Sequence, residues 1–306
     1  MLTAVKRKIK LVINEPKTVC YKILYILSPL INDKTYLKLL FFLSFGYKLD
    51  LKNPQTYNEK LQWLKLYYRK PELTNMVDKY EVKKYVEDLI GREYVIPTLG
   101  VWNSFDEIDF DKLPNQFVLK TTHDQGGVVI CKDKLSFDYI KARKLLNKHL
   151  KFKHFYLSRE WPYKDVKPRI IAEKYMANDE NEDLNDFKFF CFHGEPQALF
   201  IATERQTGNV KFDYFDMDFS PLELVQSYQR SGFEVKKPIG FEKMAELSRI
   251  LTSGLPHVRV DFYNINGKIY FGELTFFHHG GLTPFHPEEW DYKFGNWIDL
   301  EKITCK

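Results

Sequence analysis

The sequence predicts a chain of mixed helix and strand in two or three structural units, on three observations. Residues 257–281 read HVRVDFYNINGKIYFGELTFFHHGG, two stretches of period-two alternation around Asn266-Gly267, the pattern of a β-hairpin with one buried face. Residues 117–131 hold a second pair of short apolar strands, FVLK and VVIC, on either side of the glycine-rich loop TTHDQGG. Upstream, Thr56 and Glu59 form a T-x-x-E capping box ahead of the helical stretch EKLQWLKLYYR.

At 306 residues the chain is long enough to bury a sizeable core. Its formal charge of +5 comes from lysines spread throughout, a mild attraction for nucleotides, anionic sugars or lipid head groups. The clustered basic footprint of a nucleic-acid binder is missing, so nucleic acid is not an expected partner. Cys20, Cys131, Cys191 and Cys305 are scattered without metal-ligand or redox spacing, which predicts free thiols in a reducing compartment. No apolar run with a small-residue cleavage site opens the chain, so a secretory signal peptide is not expected.

Residues 1–50 begin with Lys6, Arg7, Lys8 and Lys10 and continue rich in Leu, Ile, Phe and Tyr. Pro29, Asp33 and Lys34 break the apolar part, and no segment reaches the ~18 apolar residues of a spanning helix. The segment reads as a helical hairpin packed on the main domain. Its composition also suits docking on a membrane surface, with lysines at the head groups and aromatics at the interface. Residues 51–115 then read as a small α/β unit. In it, Leu61, Trp63 and Leu64 belong to the core, and a second helix over 79–90 stops at Gly91 as a left-handed C-terminal residue. A strand over 94–102 is interrupted at Pro97, and Ser104 with Glu107 repeats the capping box before a short helix.

The loop 121–127 that follows FVLK can aim its amides at one anion, although a plain tight turn has the same composition. It is no Walker loop, since the G-x-x-x-x-G-K spacing is absent. Lys120, at the end of the buried strand, either snorkels to solvent or points at a ligand phosphate. A helix over 141–150 covers this unit, and residues 169–176 form a strand containing Glu173 and Lys174. The acidic stretch 177–186 is a loop. Strands 187–192 and 197–202 make a hairpin, with Asp186 and Lys188 on one face of its first strand. Asp216 and Asp218 form a D-x-D pair, a pattern that holds the metal of a nucleotide-sugar in some glycosyltransferases and is common by chance in charged loops. The amphipathic helix 241–251 ends at Gly254 and Pro256 and packs beneath the 257–281 hairpin.

The turn of that hairpin decides what its open face carries. A two-residue loop, Asn266-Gly267, pairs Ile265 with Lys268 and Asp261 with Gly272, which sends Asp261 and Glu273 to opposite faces. A three-residue loop with Gly267 as a left-handed bulge pairs Asn264 with Lys268 and Arg259 with Glu273. The second register buries Val258, Val260, Phe262, Tyr270, Gly272 and Leu274 together, so it is the one expected. Arg259, Asp261, Glu273 and Thr275 then share the other face. Two readings fit that face: a solvated cross-strand ion pair, or a divalent-metal site with two hard carboxylates and an arginine poised over an anion.

Taken together, the stretches NPQTYNEKLQWLK, VDKYEVKKYV, FVLK, DFKFFCFHGEP and HVRVDFY…GKIYFGELTFF resemble the TupA-like ATP-grasp family of bacterial surface-polysaccharide biosynthesis. They cover most of the chain from Asn53 onward and leave the first fifty residues outside. The resemblance implies an α+β ATP-grasp fold, two α+β lobes sandwiching a nucleotide, with a lid lobe over 116–175 and a catalytic lobe over 176–306. The helical segment 1–50 and the unit 51–115 would precede it. By motif position Lys120 reaches the α-phosphate, and the loop with Thr121, Thr122, Gly126 and Gly127 closes over the β- and γ-phosphates. Glu173, Lys174, Tyr175 and Met176 form the adenine hinge, Asp186 lies near the ribose, and Lys188 is a second phosphate contact. Asp261 and Glu273 hold Mg2+, with Thr275 where related ligases often have asparagine.

What the resemblance implies is an ATP- and magnesium-dependent carboxylate–amine ligase of capsule or cell-wall polysaccharide assembly. It would join an amino acid or simple amine to a uronic acid through an acyl phosphate. Arg259 would steady the acyl phosphate and oxyanion, and His278, His279, Gly280 and Gly281 would shape the acceptor pocket, His279 serving as a base. A cytoplasmic protein, peripheral on the inner face of the membrane, is expected. The rival readings are a sugar kinase on the same nucleotide site, a glycosyltransferase using Asp216 and Asp218, and a non-catalytic membrane scaffold.

Overall fold

The computed structural model describes residues 16–177, 185–204 and 208–304. Lys6, Arg7, Lys8 and Lys10, residues 178–184 of the acidic loop, and Cys305 lie outside the described residues. Helices α1 (Pro16–Leu27) and α2 (Asp33–Phe45) form the expected N-terminal hairpin. Asn32 starts α2 by accepting from the Thr35 amide at 2.9 Å, and Gly46 ends it at φ +81°. Arg159 fastens the hairpin to the body. It is 1% exposed, donates to the carbonyls of Ser28 and Ile31, pairs with Asp33 at 2.9 Å and stacks on Tyr36. No helix among the described residues is long and apolar enough to cross a membrane.

Next come α3 (Tyr57–Tyr67), α4 (Glu72–Val77) and α5 (Val82–Ile90). Both halves of the Thr56–Glu59 capping box are made, and Leu61 and Leu64 enter the core with Trp63 packed beside it. Gly91 ends α5 with φ +108° and ψ 153°, a positive-φ extended residue and not the left-handed helical one expected. The second capping box does not form. Ser104 Oγ and the Asn103 amide both bind the Glu107 carboxylate around a single 3-10 turn.

Strands β1 (Thr98–Trp102), β2 (Phe117–Thr121) and β3 (Val128–Cys131) are followed by α6 (Tyr139–Leu150), α7 (Phe155–Ser158) and β4 (Ile170–Lys174). They form an antiparallel sheet in the order β1-β4-β2-β3, with α6 packed on it. The rest of the chain supplies β5 (Asp186–Phe192), β6 (Glu195–Thr203), β7 (Lys211–Asp216), α8 (Phe241–Thr252), β8 (His257–Ile265), β9 (Lys268–Thr275) and α9 (Glu289–Asn296). The second sheet, also antiparallel, runs β7-β6-β5-β8-β9, and α8 packs on β5, β6 and β8. Each sheet has its own apolar core, the arrangement expected of two lobes. The span 51–115 is divided between them. Tyr57, Leu61 and Val86 join the larger core, whereas Phe105, Ile108 and Leu113 join Phe117 and Leu146 in the smaller one, and β1 extends the smaller sheet.

The β8–β9 hairpin differs from its expected register in an instructive way. Ile265 pairs with Lys268, so the turn is the two-residue one, and Asn266 and Gly267 both have positive φ, at 52° and 79°. Phe262 then pairs with Phe271, but Asp261 pairs with Glu273 and Arg259 with Thr275. Gly272 drops out as a β-bulge, and beyond it the side-chain parity reverses. Phe271 therefore turns into the core, 4% exposed, with Ile269, while Tyr270 takes the open face where the sequence had placed Phe271. The shared face of Arg259, Asp261, Glu273 and Thr275 survives because the bulge does what the longer turn was expected to do.

Candidate active site

A cleft of about 1580 Å³ is lined by residues of both sheets, and its floor is the open face of β5, β8 and β9. Lys188 on β5 stands opposite Asp261 on β8, and Asp261 opposite Glu273 on β9. Arg259 grips Asp261 with two hydrogen bonds, Nε to Oδ1 at 2.6 Å and Nη2 to Oδ2 at 2.7 Å. It also reaches Glu273 at 3.2 Å and Thr275 Oγ1 at 3.0 Å. Lys188 donates to Asp261 as well. Burial alone would raise the Asp261 carboxyl, but Arg259 and Lys188 hold it below the ordinary carboxylate range. Burial lowers the Lys188 ammonium, and the neighbouring carboxylates partly restore it.

The oxygens of Asp261, Glu273 and Thr275 suit a magnesium ion. Such an ion needs only one or two carboxylates when phosphate oxygens and waters complete its shell. Among the described residues no cluster of three or more His, Cys, Asp or Glu side chains gathers as an all-protein metal cage. Glu273 is the more open donor, its side chain 35% exposed against 2% for Asp261.

On the other sheet's side of the cleft Lys120 of β2 pairs with Glu173 of β4 at 2.6 Å, and Lys83 of α5 reaches the second Glu173 oxygen at 2.5 Å. Burial would raise Glu173, yet the two ammonium groups bring it down to about 2. The Glu173 side chain is thus a bracket for two lysines. Lys174, Tyr175 and Met176 continue past it along the cleft wall.

The glycine-rich loop is braced from within. Asp124 receives the Thr121 hydroxyl and a hydrogen bond with His149 of α6, and the Gly127 amide reaches it at 3.3 Å. Thr122 donates its hydroxyl to the Lys167 carbonyl at 3.3 Å. Thr121 and Thr122, expected on the phosphates, are fully buried and spent on this bracing. Gln125 and Gly126 are the exposed tip. The glycines are needed for close packing: a Cβ on Gly127 would meet Thr121 Oγ1 at 2.0 Å, and one on Gly126 would meet His149 at 2.6 Å.

Asp186, expected near the ribose, sits 3.5 Å from Lys188 and is 1% exposed. Its carboxylate backs the lysine and does not reach the cleft surface. After β9 the chain turns through His278 and His279. His278 Nδ1 accepts from Arg259 at 2.6 Å, so its Nε2–H donates to Gln226 at 3.0 Å. That tautomer is neutral, and burial lowers the imidazole well below its usual value. His279 lines the cleft and contacts Ser227 Oγ at 3.0 Å. Desolvation, then the charges of Arg259 and Lys188, bring it to about 4.

Sequence reasoning missed Lys79 and Lys83, both on the cleft, where Gln125 of the loop 121–127 also lies. Lys79 donates its ammonium to the Asp124 carbonyl and its amide to the Thr122 carbonyl at 3.1 Å, tying α5's approach to the loop. The stretch VDKYEVKKYV carried the signal, since lysines at 79 and 83 fall one helical turn apart. The D-x-D pair is structural: Asp216 accepts from the amides of Asp218 and Ser220 and closes the turn after β7.

Three solved structures resemble the chain at low identity. D-alanine–D-alanine ligase from Helicobacter pylori is 14% identical over 76% of this chain and 59% of that one, with a TM-score of 0.44. The ATP complex of D-alanine–D-alanine ligase from Bacillus anthracis is 16% identical over 66% and 55%, with a TM-score of 0.37. N5-carboxyaminoimidazole synthase from Aspergillus clavatus, with ADP and its ribonucleotide, is 15% identical over 67% and 46%, with a TM-score of 0.36. The chain thus spans less than two thirds of the length of each. No curated protein matches it. The family model for TupA-like ATPgrasp matches residues 59–299, which takes in both lobes and every cleft residue from Lys79 to His279. The chain therefore belongs to the TupA-like ATP-grasp family.

Proposed function

We propose that the chain is an ATP-dependent carboxylate–amine ligase. The observation that carries this is the cleft, on whose floor Asp261 and Glu273 face each other among Arg259 and Lys188, while Lys120 of the other sheet and Lys79 also line it. Such a surface suits a triphosphate. Lys120 and Lys79 would meet its inner phosphates, the tip of the loop at Gln125 and Gly126 would cover the outer ones, and residues 173–176 would flank the base. Asp261, Glu273 and Thr275 would hold magnesium, which neutralises charge between the outer phosphates.

The acceptor's carboxylate oxygen attacks the γ-phosphorus, ADP leaves, and an acyl phosphate forms. An uncharged amine then attacks the acyl carbon, phosphate leaves, and the nitrogen's proton passes to His279 or to solvent. Arg259 and Lys188 offer their charge to the oxygens of the acyl phosphate and to the oxyanion formed as the amine adds. With both histidines uncharged near neutral pH, His279 can accept that proton.

The acceptor we propose is an anionic sugar, a uronic acid, in surface-polysaccharide assembly, and the amine an amino acid or simple amine. This assignment rests on the family and on the cationic floor. The N-terminal hairpin supports a place on an anionic membrane surface. Ile23, Ile26, Leu27 and Leu30 project into solvent at helical spacing, and residues 16–48 carry five lysines against one acidic residue, Asp33.

The test is ADP release across a panel of uronic acids and amines, with hydroxylamine as a trap for the acyl phosphate. Release that requires a carboxylate and gives an amide or hydroxamate is expected. Release without an amine, with phosphate kept on the sugar, would replace the ligase by a kinase.

A further inference from the structure

The cleft has an end that the nucleotide and metal residues do not account for. There His154, Ser158 and Glu160 line it, contributed by α7 and its flanks, beside Gly280 of the turn after β9. Glu160 is 4% exposed. Ser158 donates to its Oε1 at 2.7 Å, and His154 Nε2 stands 3.5 Å from the same oxygen. A Cβ built on Gly280 would lie 3.6 Å from that oxygen, which places the carboxylate against the turn that carries His279.

Tyr163 closes this end on the far side of His154, its ring packed on the imidazole with centroids 4.5 Å apart. Lys65, a buried cation nearby, makes no ion pair with Glu160 among the described residues. It is bound instead to Gln62 at 3.0 Å and to the Gly280 carbonyl at 2.6 Å. Glu160 is therefore a desolvated carboxylate with its partners gathered on one oxygen, facing a cleft otherwise rich in cations. A buried carboxylate held only by a hydroxyl and a histidine 3.5 Å away has room for a further cationic partner.

We infer that Glu160 is the receptor for the ammonium group of the amine co-substrate, with Ser158 and His154 as positioning residues that hold its carboxylate. This rests on the ligase reading and deepens it: the co-substrate is a cationic primary amine that docks as its ammonium and gives one proton to solvent water before attack. Burial opposes ionisation of Glu160, and His154, Lys65 and Ser158 outweigh it, so the carboxylate is charged at neutral pH.

Two measurements decide the matter. In the first, binding of methylammonium to the full chain with ATP and magnesium is followed by saturation-transfer NMR. It is expected in the wild type and at least tenfold weaker in Glu160→Gln. In the second, Glu160→Gln should raise the KM for a cationic amine such as alaninamide at least tenfold. Turnover with hydroxylamine, largely uncharged near neutral pH, and the KM for ATP should stay unchanged. Should Glu160→Gln not fold, Ser158→Ala and His154→Gln carry the same comparison at a severalfold effect. A variant that melts lower yet binds methylammonium and alaninamide as the wild type does would overturn the inference and leave Glu160 a structural counter-ion. If the wild type released no ADP with any uronic acid, the ligase reading would fail, and methylammonium binding would still decide the subsite.

Discussion

Asp261 faces Glu273 directly across β8 and β9 because Gly272 is passed over in the ladder. The bulge is a small device with a large consequence. Without it, the tight Asn266-Gly267 turn would send the two carboxylates to opposite faces, one into the core and one into the cleft.

Gly272 should not tolerate a branched side chain. A Cβ there would lie 3.1 Å from the Asp261 carbonyl oxygen and 3.2 Å from the Tyr263 ring. Gly272→Val is expected to cost about 1–3 kcal/mol in chemical denaturation and to weaken magnesium-dependent ATP binding at least tenfold. Unchanged ATP binding would show that the bulge does not set the floor.

The two carboxylates should part company in stability. Asp261 is buried between Arg259 and Lys188, so Asp261→Asn strands two cations and is expected to cost about 3–5 kcal/mol. Glu273 is about one-third exposed, so Glu273→Gln should cost under about 1 kcal/mol. Both should lose magnesium-dependent ATP binding. Calorimetric melting alongside ATP titration separates the effects, and equal melting losses would contradict the assignment.

Acid should unfold the protein through two identifiable groups. His257 donates from Nδ1 to the Cys191 carbonyl and accepts the Tyr57 hydroxyl at Nε2, both at 2.9 Å. Burial first, opposed by the hydrogen bond to Cys191, lowers it from 6.5 to about 3. Below pH 6.5 the unfolded chain binds a proton there that the folded chain refuses, so stability falls as pH drops from 6.5 toward 3, by up to about 5 kcal/mol. Glu173 adds a second window. Its folded value of about 2 lies below the ordinary 4.5, so its contribution is complete above 4.5 and is lost as pH falls toward 2, about 3 kcal/mol in all. Urea melts against pH should show a flattened upper window in His257→Gln and a flattened lower one in Glu173→Gln. A slope unchanged by either substitution would exclude that group.

The N-terminal hairpin should bind anionic vesicles. Ile26 and Leu30 are 73% and 84% exposed, so Ile26→Asp with Leu30→Asp should leave melting unchanged. The same pair should abolish sedimentation with phosphatidylglycerol vesicles, while neutral phosphatidylcholine vesicles capture neither protein. Equal sedimentation of wild type and variant would remove the membrane from the proposal.

Much of this was readable in the linear chain, for local reasons. The Thr56–Glu59 capping box, the α1–α2 hairpin, the β5–β6 hairpin and the alternation in β8 depend on residues a few positions apart. Lys120, Asp261, Glu273 and His279 were legible as cleft residues, since each sits where a strand meets a loop or on the polar face of an alternating strand. The misplaced site residues were decided by the partners they meet: Thr121 and Thr122 turn inward because Asp124, Lys167 and Arg169 are there to receive them, and Asp186 lies buried 3.5 Å from Lys188.

Sequence alone determined that the chain has strand-rich units, that its last hairpin carries Arg259, Asp261, Glu273 and Thr275 on one face, and that it belongs to one family. Tertiary structure decided which way that face points. It also decided which lysines outside the sheet, Lys79 and Lys83, converge on it, and that Glu160 lies buried at its far end. Short-range propensity sets strands and caps. The skipped residue in a ladder and the meeting of charges a hundred positions apart are chosen only when burial forces every polar group to find a partner.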